Sequence, residues 1–295
     1  MNADFSGLSV ALATPFTAAG DVDMKAFRAL VKHVAEGGAD VLVVLGSTGE
    51  AATIVENERD PLIAACLEEA RGKKVVAGTG HNSTRQTVAW TKRAQELGAH
   101  GALIVTPFYN KPTPQGLVEH YRAAADAAPG FPFIVYNVPG RTGLNLTPAA
   151  LQLLWQNPQV VAVKESSGNV AQIGEIARTL PGEKTLLSGD DNLALAAIAV
   201  GANGLVSVLG NLVPKQTKDL VVAALAGRRD EAVAINNRLL PLIDALFLES
   251  NPIPLKAGLK MLGLGEDHVR LPLVPAAEST RARLKEALAM AGVRL

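Results

Sequence analysis

Residues 200–208 read VGANGLVSV, and the same grammar recurs twice upstream, as GGADVLVV over 37–44 and LGAHGALIV over 97–105. Each joins the end of a helical pattern to an apolar, β-branched run through glycine, alanine and a polar residue. The stretch 193–214 around the last of them carries no charge and is long enough to imitate a membrane-crossing helix. Gly201, Asn203, Gly204 and Gly210 inside it argue instead for a helix, a tight turn and a strand.

Eight apolar runs of this kind punctuate the chain: LSVALAT from Leu8, VLVVLGS from Val41, KVVAGTG from Lys74, GALIVTP from Gly101, PFIVYNV from Pro132, VVAVKES from Val160, KTLLSGD from Lys184 and GLVSVLG from Gly204. Between them lie segments such as MKAFRALVKHVAEG and TRQTVAWTKRAQELG, apolar at helical spacing and closed by glycine. Runs that are apolar on both faces belong to parallel strands covered by helices. Eight βα units close most naturally into a (β/α)8 TIM barrel, with a doubly wound open sheet as the alternative. Beyond residue 226 the β-rich runs stop, and RDEAVAINNRLLPLIDALFLES, PIPLKAGLKMLG and AAESTRARLKEALAMAG read as helices. The expected organisation is a catalytic barrel over 1–226 and a C-terminal helical appendage over 227–295, whose apolar faces need the barrel or another subunit to cover them.

The 295 residues are 48% hydrophobic and 19% charged, enough apolar material for a large core. Basic and acidic residues balance at 28 each, without the footprint of a nucleic-acid binder. One cysteine, Cys66, excludes an internal disulfide and a multi-cysteine metal site, and the five histidines show no pair at ligand spacing, so no metal is expected. No Walker or dinucleotide glycine pattern follows a strand. The opening MNADFSGLSV lacks the basic and long apolar regions of a signal peptide, and a cytoplasmic address is expected.

In a barrel the chemistry sits where strands end and βα loops begin. Those positions hold Thr14, then Ser47 and Thr48 in GSTGEA, Thr106 and Tyr109 in VTPFYNKP, and Tyr136 and Arg141 in YNVPGRTG. Lys164 follows in VKESSG, and Asp190 with Asp191 in LSGDD. A lysine at a solvated strand end would pack its stem and keep its head in water. In this company Lys164 reads as an imine-forming nucleophile, since an apolar barrel interior favours the neutral amine that attacks a carbonyl. Tyr136 on the neighbouring strand could give and take its protons, with Ser47 and Tyr109 as a hydroxyl relay; taken singly, the tyrosines read equally as core residues with satisfied hydroxyls. The Gly46–Glu50 loop is either a seat for a carboxylate or an ordinary turn, and Arg141 either a bidentate clamp or a solvated arginine.

In order and spacing, GSTGEA, VTPFYNKP, YNVPGRTG, VKESSG, LSGDD and NPIPLK closely resemble the dihydrodipicolinate synthase family over nearly the full length. Single motifs are shared with the wider pyruvate-dependent class I aldolases, including N-acetylneuraminate lyases, while the arginine of YNVPGRTG favours the synthases. The resemblance implies a Schiff base between Lys164 and pyruvate, with no cofactor. Its enamine attacks L-aspartate 4-semialdehyde, giving 4-hydroxy-tetrahydrodipicolinate for lysine and diaminopimelate biosynthesis. It implies a proton relay of Tyr136, Ser47 and Tyr109, with Tyr109 reaching in from a neighbouring subunit of a homotetramer built from dimers. It places Thr48 on the pyruvate carboxylate, Arg141 on the semialdehyde carboxylate, and the backbones of Gly189 and Val206 along the pocket. A possible allosteric lysine site falls on Ala51, Ala52, Glu56, Arg59, Asn82, Gln86 and Phe108.

The match is not uniform. Many synthases carry threonine where this chain has Ser47, and sialate lyases often carry serine; the hydroxyl is kept but the methyl that restrains its rotamer is lost. Gln86 stands where an acidic residue would hold an ammonium and Phe108 replaces a tyrosine; Glu56 replaces a histidine and, as a new anion, offsets these losses only in part, so inhibition by lysine is expected to be weak or absent. Two rival functions remain: a lyase for N-acetylneuraminate or a 2-keto-3-deoxy sugar, and a barrel that binds a keto acid without turnover.

Overall fold

The computed structural model describes residues 4–294. Residues 1–3, which open the stretch read against a signal peptide, and residue 295 lie outside the described residues, so the outer ends of the two expected segments do too. Eight strands form the centre: β1 (Gly7–Ala11), β2 (Val41–Val44), β3 (Lys74–Gly78), β4 (Gly101–Val105), β5 (Phe133–Asn137), β6 (Val160–Glu165), β7 (Thr185–Ser188) and β8 (Gly204–Ser207). Each pairs in parallel with the next, and β1 closes on β8 with Gly7 opposite Gly204 and Val10 opposite Ser207. Closure rules out the open sheet. It brings two backbones together at Gly204, where a Cβ would lie 2.1 Å from the Gly7 carbonyl oxygen.

Helices α1 (Met24–Glu36), α2 (Glu56–Glu69), α3 (Thr84–Glu96), α4 (Pro114–Ala127), α5 (Pro139–Thr142), α6 (Pro148–Leu154), α7 (Val170–Arg178), α8 (Ala194–Ala199) and α9 (Pro214–Leu225) alternate with or follow the strands. Their starts are chemically specified. Asp23 accepts from the Ala26 N–H ahead of α1, and Thr113 and Thr147 cap α4 and α6, each followed by proline in the first turn.

Strand residues alternate between two buried layers. Val41, Val43, Val76, Ile134, Leu187 and Val206 fill the barrel interior. Leu42, Val44, Val75, Val135, Val163 and Leu205 pack outward against helix residues such as Phe27, Leu30, Leu62 and Ile176. That double burial is why the strands read as continuous apolar runs.

Three further helices complete the chain: α10 (Arg229–Leu246), α11 (Ile253–Met261) and α12 (Glu278–Met290). Their buried leucines, Leu239, Leu242 and Leu246 of α10, Leu255 of α11, and Leu284 and Leu288 of α12, join the same continuous core as the barrel helices. At about 1.5–3 kcal/mol for each fully buried leucine, this docking is strong. Every residue from Ile253 to Leu259 is buried, which marks α11 as an inner helix. Among the described residues no helix is long and apolar enough to cross a membrane.

Candidate active site

On β6, Ala162 faces the barrel interior, so Lys164 two residues on faces it as well. Lys164 stands in register with Tyr136 of β5 and is only 4% exposed. Its ammonium lies 4.0 Å from the Tyr136 ring centroid, a cation–π contact in place of water. Gly189, just beyond β7, makes room for the lysine: a Cβ there would lie 1.8 Å from the Ser166 hydroxyl and 2.8 Å from Cε of Lys164.

A second layer of polar contacts, outside the barrel, fixes the two strand ends. The buried Glu165 carboxylate accepts from Asn137 Nδ2 at 2.9 Å and from the Ser167 N–H at 2.8 Å, while Asn137 Oδ1 accepts from the Leu146 N–H at 2.8 Å. The partners flank Tyr136 and Lys164 in sequence, so this clasp sets both.

The LSGDD pair divides, which corrects the expectation that both aspartates stand at the mouth. Asp191 is buried and turned toward β8, accepting from the Ser207 hydroxyl and from the Val208 and Leu209 N–H groups at 2.8 and 3.1 Å. Asp190 remains close to Lys164: burial pushes its carboxyl up to about 6, against the opposite pull of the Lys164 charge.

A cavity of about 410 Å³ has Ser47, Tyr136 and Arg141 in its wall; Lys164 is not part of that wall and meets it through Tyr136, and Thr48, Gly189 and Val206 lie off it as well. Thr48 is buried, and its hydroxyl oxygen accepts from Asn251 Nδ2 at 2.9 Å, leaving its proton free to be donated. Arg141 donates to the Asn251 carbonyl at 3.0 Å. Val206 is buried on the inner face of β8. Tyr109 does not join this group. It is 88% exposed, in the left-handed region at φ 71°, and is absent from the cavity wall.

The cavity continues past Ala51, Ala52, Arg59 and Phe108 of the possible effector site, while Glu56, Asn82 and Gln86 lie off its wall. Arg59 stacks 3.7 Å over Trp90 and donates to the Gly78 carbonyl at 2.7 Å; burial lowers it to about 10. The Trp90 indole N–H donates to Glu56 at 2.9 Å.

Several residues here escape the sequence reading. Trp90 and His81 line the cavity from α3 and the loop before it, with no local pattern to single them out. Asn251 stands in the quoted NPIPLK motif, but nothing in the motif says that it meets Thr48. Among the described residues no group of three or more His, Cys, Asp or Glu is arranged to hold a metal ion.

Comparison with known proteins identifies the family. A model described as the dihydrodipicolinate synthetase family matches residues 4–291. The 4-hydroxy-tetrahydrodipicolinate synthase of Cyanothece sp. is 43% identical over 286 residues, 97% of either chain. The chloride-inhibited dihydrodipicolinate synthase of Acinetobacter baumannii, solved in complex with pyruvate, superposes with a TM-score of 0.96 at 40% identity, over 99% of this chain and 100% of its own. That of Cyanidioschyzon merolae with lysine bound gives 0.95 at 39% identity, over 98% of this chain and 99% of its own. Matched along almost its whole length by that family's model and by a relative 43% identical, this chain belongs to the dihydrodipicolinate synthetase family.

Proposed function

We propose that this chain condenses pyruvate with L-aspartate 4-semialdehyde to give 4-hydroxy-tetrahydrodipicolinate, a step toward lysine and diaminopimelate, through a Schiff base on Lys164 and without a resident cofactor. The observation that carries the reading is Lys164 itself, buried in a barrel interior against Tyr136, whose ring shares a cavity wall with Ser47 and Arg141.

The neutral Lys164 amine attacks C2 of pyruvate, and the carbinolamine loses water to form the imine. Loss of a C3 proton gives the enamine, whose carbon attacks the semialdehyde aldehyde. The amino group of the adduct then attacks the imine carbon, closing the ring and expelling the lysine amine. Tyr136 is the group placed to carry these protons, with Ser47 passing them on. Thr48, free to donate, suits the pyruvate carboxylate, and Arg141 suits that of the semialdehyde. Gly189 and Val206 offer backbone to the pocket. The solvent-directed Tyr109 fits a relay completed across a subunit boundary, in a homotetramer built from dimers. The balanced charge suits small-molecule substrates rather than nucleic acid, and the pathway suits the cytoplasm.

Borohydride reduction in the presence of pyruvate should add a pyruvate-derived mass to Lys164, and Lys164→Ala should abolish it. Aspartate semialdehyde with pyruvate should turn over far faster than sialate or a keto-deoxy sugar is cleaved. Labelling at Lys256 or Lys111 instead, or preferential cleavage of a sugar acid, would refute the assignment.

A further inference from the structure

The loop that carries Ser47 and Thr48 is bounded by two residues in the left-handed region, Leu45 at φ 61° and Glu50 at φ 53°. Such a conformation costs a residue with a side chain about 1–3 kcal/mol and persists only where its surroundings over-determine it. At Glu50 those surroundings come from the far end of the chain. Glu50 and Lys256 of α11 are both buried and ion-paired. The Arg270 N–H donates to the Glu50 carboxylate at 3.1 Å. Lys256 also donates to the His268 carbonyl at 2.9 Å and lies 3.8 Å over the Phe16 ring, so its ammonium is held from three directions. The Arg270 guanidinium reaches the Thr53 carbonyl at 2.7 Å, just past the loop, and pairs with Glu58.

Both charges are taken up by protein groups, the Glu50 carboxylate by Lys256 and the Arg270 N–H and the Lys256 ammonium by Glu50 and the His268 carbonyl, so neither is offered to substrate. Stability alone accounts poorly for them, because a buried ion pair is often matched or bettered by apolar residues of similar volume. An apolar pair would offer the turn at Glu50 neither an ammonium nor an acceptor for the Arg270 N–H.

We propose that Glu50 and Lys256 are positioning residues: their ion pair fixes the turn at Glu50 and thereby aims the hydroxyls of Ser47 and Thr48 at bound pyruvate. The proposal rests on the imine at Lys164.

The test is pyruvate titration of borohydride-trapped label in the full-length wild type, Glu50→Gln, Lys256→Met and the double variant, with melting temperatures measured in parallel. Wild type without label at Lys164 would sink the reading of function. With the wild type labelled, the pair's role is read from half-saturation. Each single variant should raise it roughly ten- to a hundredfold, as misplacement by about an ångström does, with label at saturation still on Lys164. The double variant leaves no charge buried alone, so it should regain melting temperature without regaining pyruvate affinity. If the singles fail to fold, the double variant decides by itself. Wild-type affinity in the double variant, or in stable singles, would overturn the proposal and leave the pair a contributor to stability only.

Discussion

A charged carboxylate beside an amine favours the ammonium form of that amine. Burial of Asp190 lifts its carboxyl from 3.8 to about 6, so it is uncharged only below that pH. The folded state therefore binds this proton more tightly than the unfolded chain does. Asp190's contribution to stability is fullest at low pH and is lost as the pH rises through about 6. Asp190→Asn, which carries no charge to bury, should be more stable relative to wild type at pH 8 than at pH 4, by up to about 3 kcal/mol. Urea melts at the two values measure it, and a difference independent of pH would show that the carboxyl is not held near neutrality. Residues of this kind were partly legible. The LSGDD motif put both aspartates at a strand end, yet only neighbours distant in sequence divide their roles, the Lys164 charge for one and the β8 N–H groups for the other.

Elements were legible in number and order, but every strand stops short of its sequence pattern. LSVALAT runs to Thr14 where β1 ends at Ala11, and GLVSVLG runs to Gly210 where β8 ends at Ser207. The ladder ends where side chains capture its donors: Ala13 N–H goes to Asn211 Oδ1 at 3.1 Å, and Val208 N–H to Asp191 at 2.8 Å. Hydrophobic periodicity cannot see an acceptor two hundred residues away. Nor can it see α5, the four-residue turn that presents Arg141, because it is too short to show a period.

Between α2 and α3, Arg59 stacks on Trp90 and Trp90 donates to Glu56, while one guanidinium nitrogen of Arg59 is buried without a partner. The cavity wall presents the Arg59 guanidinium rather than an acidic group to an incoming lysine ammonium, and each missing charge-assisted contact forfeits about 1.5–3 kcal/mol. Little or no inhibition is expected at millimolar lysine in a steady-state assay. Strong inhibition below a millimolar, relieved by Asn82→Ala, would contradict this.

For the molecule as a whole, the question is what meets Tyr109. A tyrosine held in the left-handed region and almost wholly exposed is costly to keep unless something receives it. Sedimentation should find an oligomer, and Tyr109→Phe should lower turnover while imine trapping persists. A fully active monomer would count decisively against a shared relay.

The closure of β1 on β8 also dictates an order of events during synthesis. The strand that emerges first from the ribosome must wait for the strand that emerges last, and until then the nascent chain is a sheet with two raw edges. Pairings so distant in sequence form slowly, and an open edge is the surface on which another nascent chain can add. The polypeptide that steadies the loop of Ser47 and Thr48 is translated later still, from Asn251 to Arg270. A chain cut just before Asn251 holds all eight strands and lacks the contacts that Asn251 and Arg270 make to that loop, whereas one cut after Arg270 keeps them.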